Sequence, residues 1–412
     1  MAWSSAKANL RLVEPTRNLP YINGLRNAKA NQETLDSRHP PLVSSVTISI
    51  ITPSFNQLDW LRLCVASVRD QVEPPSAGIS EIEYRRSEGA APISHIPSSV
   101  SVSPSDTPLR VEHIIQDAGS PGIEDFAREV GADFYHDGLL VFASTEDRRS
   151  KIENRGGNSP VSSIPSPSSP AGNPSPISHI PSSTCRYRIS IYCESDSGMY
   201  DAINCGLTKS SGEICAWLNS DEQYMEGTLD RVAGYFSADS DLEVLLGDAL
   251  LVDSDISPLC YRRIMVPSKW HTRLAYLHSL SCAMFFRRSA LPSPPLESRW
   301  KVISDALLMS YFLNSRRRIV ACKTLLSSYA FTGINLSAGP LKAEKDKWWN
   351  EDMWPPKYLT PLVILYHRLR RFWNGAYATH RFHCALYTFS SQQVRKDLSD
   401  VGVAGTWPQI PS

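Results

Sequence analysis

The sequence lacks the features that mark several large classes of protein. Its 412 residues contain no run of 18 apolar residues, so no transmembrane helix is expected. The opening residues, MAWSSAKANLRLVEP, have no apolar core, so no secretory signal is predicted. Lysine plus arginine equals aspartate plus glutamate, at 42 each, so no net positive charge favours binding to nucleic acid.

Paired cysteine motifs are also missing. The nine cysteines are scattered, and none forms a C-x-x-C pair. Neither a disulfide framework nor a zinc site is therefore predicted, and reduced thiols favour a cytoplasmic location. The chain does have 42% hydrophobic and 20% charged residues, a composition typical of a globular protein with a substantial core.

The most informative stretch covers residues 194–224, ESDSGMYDAINCGLTKSSGEICAWLNSDEQY. Met199, Ile203 and Leu207 recur at helical spacing. The apolar run at 214–218 is short and does not alternate, which predicts a strand buried on both faces. It ends in a cluster of oxygen-bearing side chains at 219–222. Because ligands of α/β sheets bind at the carboxyl ends of strands, this cluster is a candidate site for a divalent cation.

A strand–loop–helix unit is predicted earlier in the chain. Residues 46–51, VTISII, are mostly β-branched and favour a strand, which TPSFNQ at 52–57 ends. Apolar residues then follow at helical spacing from Leu58 to Val68. A second strand is predicted to end at Asp117, before a helix at 123–130, and a later strand at 242–248 is predicted to end at Asp248.

These segments resemble the family 2 glycosyltransferases, whose nucleotide-sugar-binding fold is called GT-A. Residues 194–206 and 212–222 resemble the family's E-x-D-x-G-x-Y-D-A-I-N-x-G and G-D/E-I-x-x-W-L-N-S-D-D. Further matches, in the family's order, are SIITPSFNQ at 49–57, EHIIQDAGS at 112–120 and FFRR at 285–288. The resemblance implies an α/β domain of GT-A type, a Rossmann-like mixed sheet flanked by helices.

The resemblance also implies the site residues. Asp221 is expected to hold Mg²⁺ or Mn²⁺; Asn219 stands where the family's metal motif often begins with Asp, and Glu222 replaces a family Asp. Asp305 matches the family's general base, and a helix-capping aspartate is the alternative for Asp305 and for Asp117. The residues expected to contact the nucleotide-sugar donor are Pro53, Ser54, Asn56, Asp117, Ser120, Asp196, Gly198, Asp201, Asn204, Asn219 and Ser220.

Two segments rich in serine and proline interrupt the predicted domain, at about 74–110 and 143–186. Both contain the octapeptide PISHIPSS, at 92–99 and 176–183. Such compositions bury too little apolar surface to offset the entropy of ordering, so two disordered low-complexity inserts are expected. The chain is thereby divided into an N-terminal arm at 1–44, the GT-A domain at 45–338 and a helical tail at 339–412.

The tail contains a basic amphipathic segment. No acidic residue occurs from Lys357 to His383, and Leu362, Leu365, Leu369 and Phe372 fall on one helical stripe. Such a helix either lies on an anionic membrane surface or docks on the domain, and both interpretations stay open.

The predicted function is transfer of a sugar, of hexosyl type, from a nucleoside-diphosphate sugar to a hydroxyl of a sugar or lipid-linked acceptor. Inversion, a role in polysaccharide or glycoconjugate synthesis, and a location in the cytoplasm or at the inner face of the membrane are expected with it. The alternative is a catalytically weak or inactive nucleotide-sugar-binding protein, motivated by Asn219, Glu222, Ala306 and the inserts. A nucleotidyltransferase would need a basic glycine-rich loop after the first strand, where TPSFNQ stands.

Overall fold

The computed structural model describes residues 45–72, 109–144, 186–332, 341–389 and 395–406. The predicted N-terminal arm at 1–44 lies outside these ranges. The two predicted inserts also lie outside them, apart from a few residues at their borders.

Within the described residues, the strands form one large sheet and one hairpin. The large sheet has the order β4-β3-β5-β2-β1-β6-β10-β8-β11-β7, with β9 paired to β8, and β12 and β13 form the hairpin. The strands are β1 (Val46–Ser54), β2 (Leu109–Asp117), β3 (Asp133–His136), β4 (Leu139–Phe142), β5 (Tyr187–Cys193), β6 (Ile214–Trp217), β7 (Glu222–Tyr224), β8 (Val244–Val252), β9 (Pro258–Arg262), β10 (Met284–Arg287), β11 (Ile319–Ala330), β12 (Thr379–Tyr387) and β13 (Arg395–Ala404).

Helices cover this sheet, which confirms the predicted α/β class with a mixed sheet. The predicted helix at 123–130 has the predicted bounds, and the helix that follows β1 packs through the apolar residues predicted from their spacing. The helices are α1 (Leu58–Arg69), α2 (Ile123–Val130), α3 (Met199–Lys209), α4 (Thr228–Ala238), α5 (Lys269–Leu274), α6 (Ser304–Asn314), α7 (Leu341–Asp352) and α8 (Thr360–Trp373).

Strands β1 and β6 lie in the middle of the sheet. β1 is parallel to β2 on one side and to β6 on the other, and β6 also pairs antiparallel with β10. All four residues of β6 are buried, as the unalternating apolar run predicted. β1 runs three residues beyond the predicted VTISII, because residues 52–54 pair with residues 115–117 of β2.

The parallel strands β5, β2, β1 and β6 all end at one edge of the sheet. The pairing register puts Ser54 opposite Asp117 and Asp117 opposite Cys193. On the other side, Ile51 lies opposite Trp217, the last residue of β6. The segments that follow these strands therefore converge at one edge, the usual place for a ligand in this class of fold.

The tail was predicted to be helical, but in the structure it also contains two strands. Helices α7 and α8 are followed by the β12–β13 hairpin, whose Leu386 and Val403 pack in a buried cluster with Tyr261. The sequence signal for β12 was weak because its half-buried positions include His380 and Cys384, so that polar and apolar residues do not alternate cleanly. Within the described residues, no helix has the length and hydropathy needed to cross a bilayer.

Asp248 was predicted to end a strand, and this prediction is wrong. It lies in the middle of β8 and is fully buried. Its carboxylate accepts hydrogen bonds from the Tyr261 hydroxyl at 3.0 Å and the Ile264 amide at 2.7 Å, and it pairs with Arg263 at 3.4 Å. Burial raises the pKa of Asp248 to about 6. The residue thus ties the chain after β9 to the sheet.

Gly212 lies where the chain enters β6 and crosses closely over β1. A Cβ atom at this position would lie 2.5 Å from Ser49 Oγ, 2.8 Å from Ser49 N and 2.9 Å from Thr47 O. Two of these atoms belong to the backbone of a central strand, which cannot move aside easily.

We expect Gly212→Ala to lower the free energy of unfolding by about 1–3 kcal/mol, as overpacking of a core does. Gly402→Ala is the matched control, because its Cβ would meet its nearest neighbour at 3.5 Å, an ordinary contact. Chemical denaturation of the two variants measures the difference. Equal stability of both would contradict the close packing of residue 212 on β1.

Candidate functional site

A cavity of about 700 Å³ opens at the carboxyl edge of the parallel strands. This volume lies within the range of small-molecule sites. The residues that line it come from the end of β1 and the loop after it, from the loops after β2, β5 and β6, from α3, from the region around α6 and from the end of β11. They are Pro53, Ser54, Phe55, Gln57, Ala118, Ser195, Asp196, Gly198, Met199, Tyr200, Ala202, Asn219, Ser220, Asp221, Ser281, Lys301, Val302, Asp305, Tyr329 and Thr332.

The loop after β1 contributes one wall. Pro53 and Ser54 line the cavity, whereas Asn56 does not. Asn56 has a positive φ of 55°, and its backbone N–H donates to Ser120 Oγ at 2.6 Å. The side chain of Gln57 accepts a hydrogen bond from the Ser220 hydroxyl, which joins the loop after β1 to the turn after β6.

The turn after β6 carries Asn219 and Asp221 into the cavity wall. Glu222 faces away from the cavity and is fully buried. Its Oε2 accepts the backbone N–H of Asn219 at 2.7 Å, so this side chain fixes the shape of the turn. The family Asp that Glu222 replaces therefore has no counterpart in the cavity wall of this chain.

The residues of this turn fit a hard divalent cation. The Oδ1 atom of Asn219 is buried without a hydrogen-bond partner, and the Asp221 carboxylate lies two residues away. Carboxylate and amide oxygens are ligands for Mg²⁺, which usually completes its shell with substrate phosphates and water. Within the described ranges, no group of three or more His, Cys, Asp and Glu residues has metal-binding geometry, so phosphates and water would supply the remaining ligands.

Burial acts on both neighbouring carboxyl groups. It raises the pKa of Asp221 and that of Glu222, and the charge of Asp221 raises the pKa of Glu222 further. Glu222 is hydrogen-bonded to the Asn219 amide inside the fold, which suits a structural role. Asp221 lines the cavity, so it is the member of the pair that a bound cation could reach.

Asp305 belongs to the first turn of α6 and lines another part of the cavity. Its Oδ1 accepts hydrogen bonds from the Ala306 amide at 2.7 Å and from the Tyr200 hydroxyl at 3.3 Å. It is not the N-cap of the helix, because Ile303 holds that position. Burial raises the pKa of Asp305 to about 6, so the side chain is mostly ionised at neutral pH and can accept a proton.

The loop that leads to Asp305 is held by α7. The Glu344 carboxylate accepts the backbone N–H groups of Lys301 at 2.7 Å and Val302 at 2.9 Å. Trp348, also on α7, packs in a buried cluster with Trp300. The position of Asp305 therefore depends on a helix from the tail region, which no local pattern in the sequence shows.

Lys301 and the loop around Gly198 form another part of the cavity wall. Lys301 Nζ donates to Ser197 O at 2.5 Å, beside Gly198, whose φ of 126° favours glycine. Asp196 accepts the Gly198 N–H at 2.8 Å, and burial raises the pKa of Asp196. Lys301 is thus placed to meet negative charge on a ligand in the cavity.

Asp117 and Ser120, predicted to contact the donor, shape a loop instead of lining the cavity. Asp117 is fully buried, and its Oδ1 accepts the N–H groups of Gly119 at 2.9 Å and Ser120 at 2.6 Å. Its Oδ2 accepts the Ser120 hydroxyl at 2.7 Å. The alternative role of Asp117 as the cap of α2 is wrong, because Gly122 holds that position. A direct contact of Asp117 with a donor stays a prediction.

Asp201 and Asn204 also make local hydrogen bonds outside the cavity wall. Asp201 Oδ2 accepts the backbone N–H and the hydroxyl of Ser197, both at 2.9 Å. Asn204 exchanges two hydrogen bonds with the backbone of Leu296, at 2.7 and 3.1 Å. Their contacts with a donor likewise stay predictions.

Sequence reasoning missed several side chains of the cavity wall, among them Gln57, Tyr200, Lys301 and Tyr329. Tyr200 lies inside the recognised motif, where Met199 and Ala202 also face the cavity. Helical spacing on α3 could have selected this face. Tyr329 comes from β11, whose place beside β7 depends on long-range pairing and left no local signal.

We expect Asn204→Ala to lower the free energy of unfolding by about 1–3 kcal/mol, because the backbone of Leu296 loses both its partners. The affinity for nucleoside diphosphates should stay unchanged, since Asn204 does not line the cavity. Denaturation and calorimetry with a panel of nucleoside diphosphates measure the two effects. Exposed Asn350→Ala on α7 is the control. A stable variant with weakened nucleotide binding would make Asn204 a donor contact.

Residues 186–290 match the sequence model of the family described as Glycosyl transferase family 2. This match confirms the resemblance seen in the sequence, and it spans β5 to β10 with Asp196, Asn219 and Asp221. None of the curated proteins matches the chain.

The solved structures that match the chain include glycosyltransferases at low sequence identity. The S. aureus TarS 1–349 complex with UDP-GlcNAc has 12% identity and a TM-score of 0.38, over 71% of this chain and 61% of that one. The mannosyltransferase PcManGT from Pyrobaculum calidifontis, in complex with GDP-Man and Mn²⁺, has 11% identity and a TM-score of 0.41, over 81% and 72%. This chain spans about 60% of the length of the TarS structures that it matches.

Proposed function

We propose that this chain, which carries a glycosyl transferase family 2 region, moves a sugar from a nucleoside-diphosphate sugar to a hydroxyl of an acceptor, with inversion. One observation carries the proposal. A single cavity at the carboxyl edge of the parallel strands is lined both by Asp221, in the turn after β6, and by Asp305, in the first turn of α6. Asp221 is suited to hold a cation at the leaving diphosphate, and Asp305 is suited to accept the proton of the attacking hydroxyl.

Asp305 is the proposed general base. The acceptor hydroxyl becomes a better nucleophile as it loses its proton, and an ionised carboxylate can accept that proton. The hydrogen bonds from Ala306 and Tyr200 hold its Oδ1 in place. Because burial keeps its pKa near 6, the carboxylate is a stronger base than an exposed aspartate and is still ionised at neutral pH.

Asp221 and Asn219 are the proposed ligands of Mg²⁺ or Mn²⁺, and Lys301 is a further cation for the diphosphate. A divalent cation at this turn would neutralise the charge that grows on the diphosphate as the bond to the sugar breaks. The buried, unpartnered Oδ1 of Asn219 supports this assignment, since a buried carbonyl oxygen without a partner is costly unless a ligand satisfies it.

Inversion follows from a single displacement. The acceptor oxygen attacks the anomeric carbon from the side opposite the leaving diphosphate, so one transfer inverts that carbon. Such a step needs a base at the acceptor and stabilisation at the diphosphate, held in line by a fixed scaffold. Asp305 and the Asp221 turn supply these two functions from separate elements of one cavity wall.

We infer that the transferred unit is a hexose and that the acceptor is a sugar or a lipid-linked sugar of polysaccharide or glycoconjugate synthesis. The cytoplasm, at the inner face of the membrane for a lipid-linked acceptor, is the proposed location. The eight cysteines within the described residues are free thiols, which supports a reducing compartment.

A catalytically weak nucleotide-sugar-binding protein is the second candidate. It is favoured by Asn219 at the first metal position, because a neutral amide holds a hard cation less strongly than a carboxylate. The two candidates differ in turnover. Release of nucleoside diphosphate from a panel of sugar donors supports the enzyme, and saturable donor binding without release supports the binding protein.

We expect Asp221→Ala to remove the Mn²⁺-dependent part of nucleoside-diphosphate binding, and Asn219→Ala to weaken it less. The reason is that the carboxylate carries a full negative charge toward the cation and the amide oxygen does not. Calorimetry with and without Mn²⁺ measures both effects.

The matched control for the metal variants is Asp255→Ala, at an exposed position outside the cavity wall. It should bind as the unchanged protein does. Equal losses for Asp221→Ala and Asn219→Ala would make Asn219 a full ligand, and no loss for either would remove the metal from this turn.

We expect Asp305→Asn to keep the stability and donor affinity of the unchanged protein while lowering the transfer rate by about two orders of magnitude or more. Asparagine can still accept the hydrogen bonds from Ala306 and Tyr200, but it cannot accept the acceptor proton. Asp230→Asn, an exposed aspartate in the first turn of α4, is the matched control and should keep full activity.

The pH dependence of kcat/KM provides a separate test of Asp305. Its raised pKa predicts that kcat/KM falls below a pH of about 6, as the base becomes protonated, and stays level above it. The acid limb should be missing from the residual activity of Asp305→Asn. Since ionisation of a buried carboxyl disfavours the folded state, Asp305→Asn should also be at least as stable as the unchanged protein at pH 8. An acid limb that persists in the variant would assign the titration to another group.

A further inference from the structure

Helix α8 packs on the body of the protein through one face and leaves most of its large apolar side chains exposed. Its buried side chains are Val363, His367 and Arg371. The exposed stripe consists of Leu362, Leu365, Tyr366, Leu369, Phe372 and Trp373, with Phe372 68% and Trp373 74% exposed. The helix does dock on the domain, which was one of the two interpretations of the sequence, but its buried residues lie on the face opposite the stripe. The other interpretation, binding to an anionic membrane surface, concerns the stripe that stays exposed.

Basic side chains flank the exposed stripe. At 100° per residue, Arg368 and Arg370 fall on opposite sides of it, while Arg371 falls on the buried face. Arg368 is exposed, and Arg370 is half-buried with its guanidinium 5.8 Å from the Tyr366 ring. Long basic side chains beside an apolar stripe can keep their charges in the headgroup region while the stripe enters the lipid.

Aromatic side chains extend the apolar surface beyond the helix. Trp270 and Trp354 form an edge-to-face pair with ring centroids 6.5 Å apart, and both are exposed. Tyr358 is also exposed, just before α8. A cavity of about 470 Å³ between α5 and α8, lined by Trp270 and Leu362 among others, continues the apolar surface inward. Tryptophan and tyrosine are the residues typical of the membrane–water interface.

Positive charge prevails in the part of the sequence that forms this surface. No aspartate or glutamate occurs in the sequence between Lys357 and Asp397. On α7, Asp346 pairs with Lys357 at 2.7 Å and Glu351 pairs with Arg299 at 2.9 Å. The exposed Arg368 and Lys269 add positive charge at the two sides of the surface. An anionic partner therefore complements this surface better than a neutral one.

We propose that the exposed stripe of α8, with Trp270, Trp354 and Tyr358, binds the surface of an anionic phospholipid bilayer. Apolar area, interfacial aromatics and flanking cations are the three features that hold a helix in such a surface. A second copy of the chain is a poorer occupant, because a two-fold contact through the same face would bring like charges together. The proposal rests on this surface alone and does not depend on the proposed reaction.

Helix α7 connects this surface with the candidate site. Its Glu344 holds the backbone of the loop that carries Lys301, at the cavity wall. Farther along α7, the Trp349 indole donates to Pro355 O at 2.8 Å, beside Trp354. A bilayer bound at the stripe would thus lie on elements that contact the acceptor side of the cavity, which suits an acceptor held in the membrane.

Sedimentation of the full-length protein with vesicles tests the proposal. The protein should bind vesicles of mixed phosphatidylglycerol and phosphatidylcholine, and binding should weaken with phosphatidylcholine alone or at high salt. The double variant Phe372→Ser with Trp373→Ser should bind at least about tenfold more weakly, because two large apolar side chains no longer enter the lipid. Arg368→Gln should bind about fivefold more weakly, since one cation near an anionic surface is lost.

Matched controls come from exposed residues elsewhere. Leu139→Ser with Leu140→Ser removes two exposed apolar side chains from β4, and Lys323→Gln removes an exposed cation from β11. Both should bind vesicles as the unchanged protein does, and circular dichroism should show all variants folded. Failure of the unchanged protein to bind anionic vesicles would overturn the proposal. Equal losses in the controls, or a dimer in light scattering that the Phe372/Trp373 variant abolishes in place of vesicle binding, would do the same.

Discussion

The parallel register of β1 between β2 and β6 is the constraint on which the candidate site depends. It places Ser54 opposite Asp117 and Ile51 opposite Trp217, so the loops that follow must leave the sheet at one edge. The strands can hold this register because both faces are covered, which continuous apolar runs allow. The hydrogen bond between Gln57 and Ser220 then joins two of these loops directly. A slip of one residue would turn every side chain of a strand to the opposite face.

Desolvation acts on several carboxyl groups of this protein, and their neighbours decide what each group does. Glu222 and Asp248 are fully enclosed and hydrogen-bonded to backbone amides, so they hold a turn and a strand junction in place. Asp221 and Asp305 are half-buried and line a cavity, and burial raises the pKa of each. A perturbed pKa alone therefore does not identify a functional group here. The carboxyl groups with a proposed catalytic or metal-binding role line the cavity, and the structural ones do not.

The fold class and the central elements could be predicted because their signals are local. The buried run of β6, the spacing of α1 and the turn residues after each strand are all visible in short windows. The exact contacts of the site residues could not be predicted. The hydrogen bonds of Asp117 depend on how its own loop closes, and those of Asn204 depend on the distant backbone of Leu296 beside it. Lys301 was missed for the same reason, since α7 positions its loop from more than forty residues away. Motif resemblance names positions, and tertiary packing decides whether their side chains face the cavity.

Periodicity predicted the apolar stripe of α8 but could not say which side of the helix faces the protein. The structure turns Arg371 inward, where it donates to Gly405 O at 3.2 Å and lies 4.5 Å from the Tyr377 ring, and turns Phe372 and Trp373 outward. These contacts compensate for the burial of the guanidinium. Leaving large aromatic side chains in water, by contrast, forgoes about 1.5–3 kcal/mol for each. A partner that covers the stripe would recover this free energy, and the flanking cations make an anionic lipid surface the partner that fits.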